Sequence, residues 1–483
     1  MEFIKSWIKT HNGSKGGKSS SPNLILVLLS MAQLMIVLDF SIVNVALPSI
    51  QFQFDLSPTE LQWVVSAYAL TFGSFLLLGG RVSDLFNRKK VFLAGLIVFS
   101  LASLMGGLAA SAVLIFISRA IQGLGAAMLS PSALSLLTTT FSEGSRRNWA
   151  LGIFGSMAAI GFTTGVTLGG ILTEFFSWRW VFFVNVPLGI ITFIAGLLII
   201  PDPVQSQKNK EFDVAGAVLI ATSLLTLVYA ITRISVPGES LYEIITLFGI
   251  SLALIVSFLF TERRACEPLI PLDIFRRQTI VISDTVMLFT YGANAALVFL
   301  ITLFLQEGKG YSALQTGLIF IPAGMGGITG STLAPRVVKR IDFGKTVVFG
   351  LILFGLGVTG LATVGTGNSI VALMVIYYFT ALGLVSVIVS LNIAGTSGVE
   401  AERQGLAAGL LTTAQQIGAA IGVGIASVVV ALVALSIGNS PEARIESYRY
   451  ALLVSEGLVI ISTSLALYMV RRHPKRGDKS ISR

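Results

Sequence analysis

The chain has 483 residues, of which 54% are hydrophobic and only 12% charged, with a mean hydropathy of +0.84. Soluble domains carry about 25% charged residues, so this much apolar sequence needs a lipid-facing surface, and a soluble globular class is excluded. The net charge of +9 does not point to nucleic acid, because the basic residues are spread over polar segments between apolar runs rather than gathered on one face.

In chain order, apolar spans run near 23–47, 61–79, 91–110, 112–137, 149–172, 180–200, 214–232, 241–260, 279–305, 313–334, 346–365, 370–394, 405–435 and 450–470. A helix needs about 20 apolar residues to cross a ~30 Å hydrocarbon core, and nearly all of these suffice. Fourteen transmembrane helices follow. The first span is preceded by Lys, is followed by ALPSI rather than a small-residue cleavage site, and carries Asp39; it reads as a retained helix, not a signal peptide.

With an even helix count both termini share a side. That side holds nearly all the Lys and Arg, while the other holds Arg179, Arg233, Lys309, Arg444 and Arg449. Both termini are therefore expected in the cytoplasm of a cell with an inner or cytoplasmic membrane. The lone Cys266 has no partner for a disulfide within the chain.

The sequence also repeats itself. SPTELQWVVSAYALTFGSFLLLGGRVSDLF, from Ser57, lies without a gap over SALQTGLIFIPAGMGGITGSTLAPRVVKRI, from Ser312, and a charged loop leads into a Gly-rich helix after both Glu143 and Glu400. Two related halves around a central path is a layout of secondary transporters. The expected division is a cytoplasmic arm (1–22), a six-helix bundle (23–200), a linker with two inserted transmembrane helices (201–278), a second six-helix bundle (279–470) and a cytoplasmic tail (471–483).

Arg119 is the one basic residue at membrane depth, in AVLIFISRAIQGLGAAMLSPSALSLL. Burying it costs at least ~2.5–3.5 kcal/mol on insertion scales, so it needs a counter-charge or a wet cavity. Both histidines, His11 and His473, lie in the polar tails, which leaves carboxylates to carry any proton. Burial disfavours a charged carboxylate and a nearby guanidinium favours it, so moving the guanidinium toggles proton affinity. At ~1.5 Å per residue Asp39 lies about 24 Å from the cytoplasmic start of its helix and Arg119 about 10 Å from the outer start of its own. Both fall in the outer half and can meet; a static ion pair that only holds the fold is the competing reading. Asp284, about 8 Å above an inner helix end, and Glu456, about 9 Å below an outer one, are further proton-coupling candidates or interfacial residues.

Gln122, Gln415 and Gln416 suit either a substrate cavity or interhelical hydrogen bonds. Trp63, Trp149, Trp178 and Trp180 lie near span borders and fit aromatic belts. Gly161, Gly165, Gly169 and Gly170 give small-residue spacing for close helix contact. GLGAA is no dinucleotide fingerprint, since no soluble strand–helix unit surrounds it, and no Walker-type motif is present; no cofactor and no ATP-driven step is expected, and the proton gradient is the energy source.

GRVSDLFNRKK (80–90) resembles the loop signature of the major facilitator superfamily. LDFSIVNVALPSI (38–50), RAIQGLGAA (119–127), GFTTGVTLGG (161–170) and SWRWVFFVNVPLG (177–189) resemble signatures of its fourteen-helix drug:proton antiporter group. The resemblance spans about 23–470. It implies an all-α integral membrane fold of two six-helix bundles plus two inserted helices. It also implies an inner gate at Gly80, Asp84 and Arg88, and proton-coupled export of lipophilic, often cationic compounds by a monomer that is not an enzyme. Alternatives are a dedicated exporter of one metabolite, lipid or siderophore, and a non-transporting receptor or scaffold. Two positions depart from the pattern. Asn87 stands where the family loop has Gly, and Asn tolerates a left-handed turn; Val166 stands where it has Pro, which removes an expected kink.

Overall fold

The computed structural model describes residues 21–141, 144–201, 214–234, 240–264, 268, 270, 272–364, 369–397, 399–400, 403–438 and 441–472. The arm up to residue 20 with His11, Cys266, the tail from His473 onward and the side chain of Asp84 lie outside them.

Among the described residues fourteen helices are long and apolar enough to cross a membrane. They are α1 (Pro22–Phe54), α2 (Pro58–Ser83), α3 (Arg88–Gly107), α4 (Ala112–Thr140), α5 (Ser145–Phe175), α6 (Trp180–Ile199) and α7 (Ala215–Arg233), followed by α8 (Leu241–Arg264), α9 (Gln278–Gly308), α10 (Ala313–Ile341), α11 (Phe343–Thr363), α12 (Ile370–Thr396), α13 (Gln404–Ile437) and α14 (Ile445–Val470). No strand occurs among the described residues. The end of the molecule where α1 starts and α14 finishes carries Arg88, Lys89, Lys90, Lys339 and Arg340; it is called the basic end, and the opposite one the far end.

The internal repeat is visible in the helix caps. At the head of α2 the Ser57 hydroxyl accepts the Glu60 N–H at 3.3 Å while the Glu60 carboxylate accepts the Ser57 N–H at 2.9 Å. Ser312 and Gln315 form the same reciprocal pair at the head of α10, at 3.3 and 3.0 Å. Each box satisfies two N–H groups that a helix start would otherwise leave unpaired.

In the first half α1 lies along α5, α2 along α4, and α3 along α4 and α6; in the second, α9 lies along α13 and α14, α10 along α12, and α11 along α12 and α14. The halves meet along two seams, α2 on α13 and α5 on α10. The two extra helices pair through Ser223 and Ser251, whose hydroxyls donate to each other's carbonyls at 2.9 and 3.0 Å, and α7 docks across α2 and α13.

The apolar core shows how the halves sit. Toward the far end one cluster draws on both, with Leu38, Ile42 and Leu47 of α1 joined to Leu300 and Phe304 of α9 and Phe320 of α10. Toward the basic end it divides into Leu29, Phe92 and Leu137 in the first half and Val286, Leu351 and Leu411 in the second. The α5–α10 seam follows the same gradient. A Cβ on Gly317 would lie 2.5 Å from the Val166 carbonyl, whereas a Cβ on Gly152 or Gly155, nearer the basic end, would meet nothing within 4 Å. The α5–α10 seam is thus closed toward the far end and open toward the basic end, whereas the α2–α13 seam stays in contact near the basic end, where Leu77 of α2 packs on Ala407 and Leu410 of α13.

Both departures in the sequence resolve locally. Asn87 is not left-handed: with φ −66° it is the N-cap of α3, and its side chain accepts the Lys90 N–H at 3.3 Å. A short amide does that capping work directly, so no positive φ is needed. At Val166 α5 runs on as one helix from Ser145 to Phe175.

A buried ion-pair network as the candidate functional site

Glycines bring α1 against α5. A Cβ on Gly165 would lie 1.9 Å from the Ser41 hydroxyl, and Cβ atoms on Gly161 and Gly169 would meet Val37 at 3.0 Å and the Ile42 carbonyl at 2.6 Å. Gly170 faces the other way, against the Ala313 carbonyl of α10. Ser41 fastens the contact by donating to the Leu38 and Gly161 carbonyls at 3.0 and 3.2 Å. With Leu38 and Ser41 turned to α5, Asp39 between them is left facing α4 and α6, because successive helical residues step by about 100°.

Asp39 and Arg119 meet there. Arg119 Nη1 donates to Asp39 Oδ2 at 2.6 Å, and the two side chains are 1% and 0% exposed. Nη1 also donates to Gln122 Oε1 at 2.9 Å, Nε donates to the Val64 carbonyl of α2 at 2.8 Å, and the guanidinium lies 4.4 Å from the Tyr68 ring centroid. The other carboxylate oxygen, Oδ1, accepts from Gln122 Nε2 at 2.9 Å and from Asn185 Nδ2 of α6 at 2.7 Å. Gln122 Nε2 completes itself on Ser103 Oγ of α3 at 2.7 Å. A buried ion carries a penalty of several kcal/mol unless paired and hydrogen-bonded. Here both oxygens of the anion are occupied and five helices contribute. Such a network can hold one arrangement while Asp39 is charged and another once it is not.

The remaining sequence candidates fall elsewhere. Gln122 belongs to this network. Gln415 donates to Met287 Sδ at 3.5 Å, and Gln416 packs where α13 meets Gly73 of α2. Glu456 accepts a hydrogen bond from Thr359, which ties α14 to α11 within the second half. Asp284 sits on α9, partly buried, with one carboxylate oxygen enclosed and unpartnered. Gly80 backs onto Pro131 of α4, and Arg88 opens α3. Of the tryptophans, Trp149 and Trp180 are exposed, but Trp178 is buried and donates to Gln53 at 2.6 Å, so it serves the core rather than a belt. The sequence alone does not single out Tyr68, Ser103 and Asn185. A lone amide in the apolar stretch VFFVNVPLG was the available signal for Asn185.

Comparison with known proteins agrees with this architecture. The family model described as Major Facilitator Superfamily matches residues 29–423. The chain is 32% identical to the puromycin resistance protein of Streptomyces alboniger, over 94% of this chain and 92% of that one. It is 34% identical to the cephamycin export protein of Amycolatopsis lactamdurans, over 88% of each. Among solved structures, a bacterial homolog to the human lysosomal transporter Spinster, in an inward-facing and occupied conformation, superposes with a TM-score of 0.69 at 15% identity, covering 94% of this chain and 98% of that one. Fourteen helices in two halves, joined by paired caps and a family model running across both, place the chain in the major facilitator superfamily, to which it belongs.

Proposed function

We propose that the protein is a proton-coupled exporter of lipophilic, often cationic compounds, working by alternating access as a monomer in the cytoplasmic membrane with its basic end in the cytoplasm. The observation that carries the reading is the Asp39–Arg119 pair, fully buried and held by Gln122 and Asn185, in a molecule whose α5–α10 seam opens toward the basic end. Relatives named for puromycin resistance and for cephamycin export support antibiotic-like small molecules as the cargo.

With the basic end in the cytoplasm, the open part of the α5–α10 seam faces the cytoplasm while Asp39 is paired. Substrate enters from that side. Protonation of Asp39 from the other side of the membrane removes the charge that Arg119 Nη1 and the two amides hold, and this is a differential contact of the kind that lets a ligand shift a two-state equilibrium. Gly80, Asp84 and Arg88, by family resemblance, act at the cytoplasmic ends of the helices as the gate that closes in the opposite state. No cofactor enters the cycle; the proton gradient supplies the energy.

The cephamycin relative favours one second reading, a dedicated exporter of a single metabolite. Purified protein in proteoliposomes with an imposed pH gradient, offered a panel of cationic and neutral drugs, separates the two. Uptake of several unrelated compounds is the expected result, transport of one alone supports the dedicated exporter, and silence across the panel defeats both.

A further inference from the structure

The contacts of the Arg119 guanidinium divide by element. Nη1 serves the Asp39 carboxylate of α1 and the Gln122 amide of its own helix. The other two contacts come from α2, one helical turn apart: the Val64 carbonyl accepts the Nε–H at 2.8 Å, and the guanidinium carbon lies 4.4 Å from the centroid of the Tyr68 ring. Residues spaced i and i+4 stand one above the other on a helix face, so α2 offers the cation one seat, built of a carbonyl and a π face.

Tyr68 is placed there for its ring. The side chain is fully buried and braced by Phe40 of α1 and Phe72 of α2, at centroid distances of 6.1 and 5.9 Å. A buried tyrosine usually finds a hydrogen-bond partner, yet the Tyr68 hydroxyl has none among the described residues. The seat on α2 also differs from the α1 contact in its response to a proton. Uptake by Asp39 abolishes the charge on α1, whereas the carbonyl and the ring are neutral and keep their hold. A lone cation is attracted to a ring face, most strongly where no water competes, and an unpaired buried guanidinium is otherwise unfavourable. The ring therefore favours the protonated state over the paired one.

Building on the coupling role given to Asp39 above, we propose that Tyr68 is a positioning residue for proton coupling: its ring seats Arg119 on α2 while Asp39 is neutral. Protonation then loosens α1 while α2 and α4, which lie along each other, stay joined, and the ring sets the pH at which the proton loads. Around the pair, α3, α4 and α6 present the neutral Ser103, Gln122 and Asn185. The further titratable group is Tyr291 of α9, within electrostatic range of Tyr68. Phenols ordinarily ionise near ~10, so neither tyrosine titrates across the profile.

Uptake into inverted vesicles holding the full-length protein tests this, measured over a pH series at a fixed gradient with the panel compounds that the parent transports, ethidium first. Tyr68→Phe keeps the π face and holds the parent midpoint. Tyr68→Leu moves it about half to one pH unit toward acid, the size expected of a desolvated cation–π contact. Phenylalanines with one to three ring fluorines in place of Tyr68 keep the shape while weakening the π face, so they guard against a Tyr68→Leu that merely misfolds; they shift the midpoint in the same direction, further with each fluorine. An unmoved midpoint across the fluorinated series overturns the assignment, as does a shift toward alkaline pH. Tyr68→Phe displaced as far as Tyr68→Leu overturns it too, because the hydroxyl would then hold the role. If Asp39→Asn keeps full pH-driven uptake, or the parent transports nothing, the export reading fails and this one falls with it; loss of uptake in Asp39→Asn beside an unmoved fluorinated series defeats this inference alone.

Discussion

At the scale of single residues the Asp39 network makes unequal demands on its members. Asp39→Asn removes charge at constant size but leaves the buried Arg119 guanidinium without its counter-charge, so a lower melting midpoint is expected together with loss of pH-driven uptake into inverted vesicles; full retention of that uptake removes Asp39 from the coupling role. Arg119→Ala is harsher, because it strands a buried carboxylate, and breaking one partner of such a pair costs about 3–5 kcal/mol. A markedly lower melting midpoint together with stalled turnover is expected. Arg119→Lys keeps the charge, but a single ammonium cannot serve both the Val64 carbonyl and the Asp39–Gln122 edge, which the planar guanidinium reaches from different nitrogens. It should remain impaired, and parent-like transport with Lys would mean that the fork geometry is irrelevant. Asn185→Leu deletes one charge-assisted donor, worth about 1.5–3 kcal/mol, and should lower both stability and turnover without affecting expression.

At the scale of elements, close approach does more than sequence hydropathy reveals. Gly165→Val puts side-chain atoms into the Ser41 hydroxyl at the α1–α5 contact, and overpacking of this kind costs about 1–3 kcal/mol. Thermal melting of the detergent-solubilised protein should show a lower midpoint, and a paired Ser41→Gly should recover part of the loss. Ahead of α9, the Arg403 guanidinium donates to Asp273 at 2.6 Å and holds that exposed carboxyl below its ordinary value of 3.8. A depressed carboxylate contributes while ionised and stops contributing as pH falls through its lowered value. The contact is therefore intact across physiological pH, and Asp273→Asn should leave the position of the transport pH profile unmoved between about 5 and 8.

The helix inventory and the meeting of Asp39 with Arg119 were legible in the sequence because both depend on position along a helix, and rise per residue is fixed. What depends on rotation about the axis was not. Gln122 turns into the ion pair rather than onto a cavity wall, Glu456 turns to α11, and Trp178 turns into the core. Asn185 escaped for the same reason: nothing in an apolar stretch tells which face of α6 meets α1.

At the scale of the whole molecule, the middle of the α5–α10 seam is open to a direct test. A Cβ on Gly327 would lie 4.0 Å from that of Ala159, inside the ~3.5–4.5 Å span of a disulfide. In a Cys266→Ser background, Ala159→Cys with Gly327→Cys should crosslink on oxidation, stop transport and recover with reductant. Asp84→Asn, on the gate role that the family resemblance gives Asp84, should shift the population toward the state open at the basic end and raise the yield of this crosslink; unchanged crosslinking and unchanged transport would reduce that loop to a topological anchor.

The buried pair has an electrical consequence too. Asp39 and Arg119 together carry no net charge, so helices that bear them can move through the membrane field without electrical work. Once Asp39 takes up a proton, the guanidinium charge stands alone. Moving one such charge across the whole field is worth about 2.3 kcal/mol per 100 mV. One half of the cycle should therefore be voltage-silent and the other voltage-driven. Charge movements recorded at equal pH under valinomycin-set potassium potentials should grow as the medium is acidified and vanish in Arg119→Gln; a voltage response that survives this substitution would place the moving charge elsewhere. The pair that neutralises itself at rest is then the element through which the membrane potential, as well as the pH gradient, reaches the transport cycle.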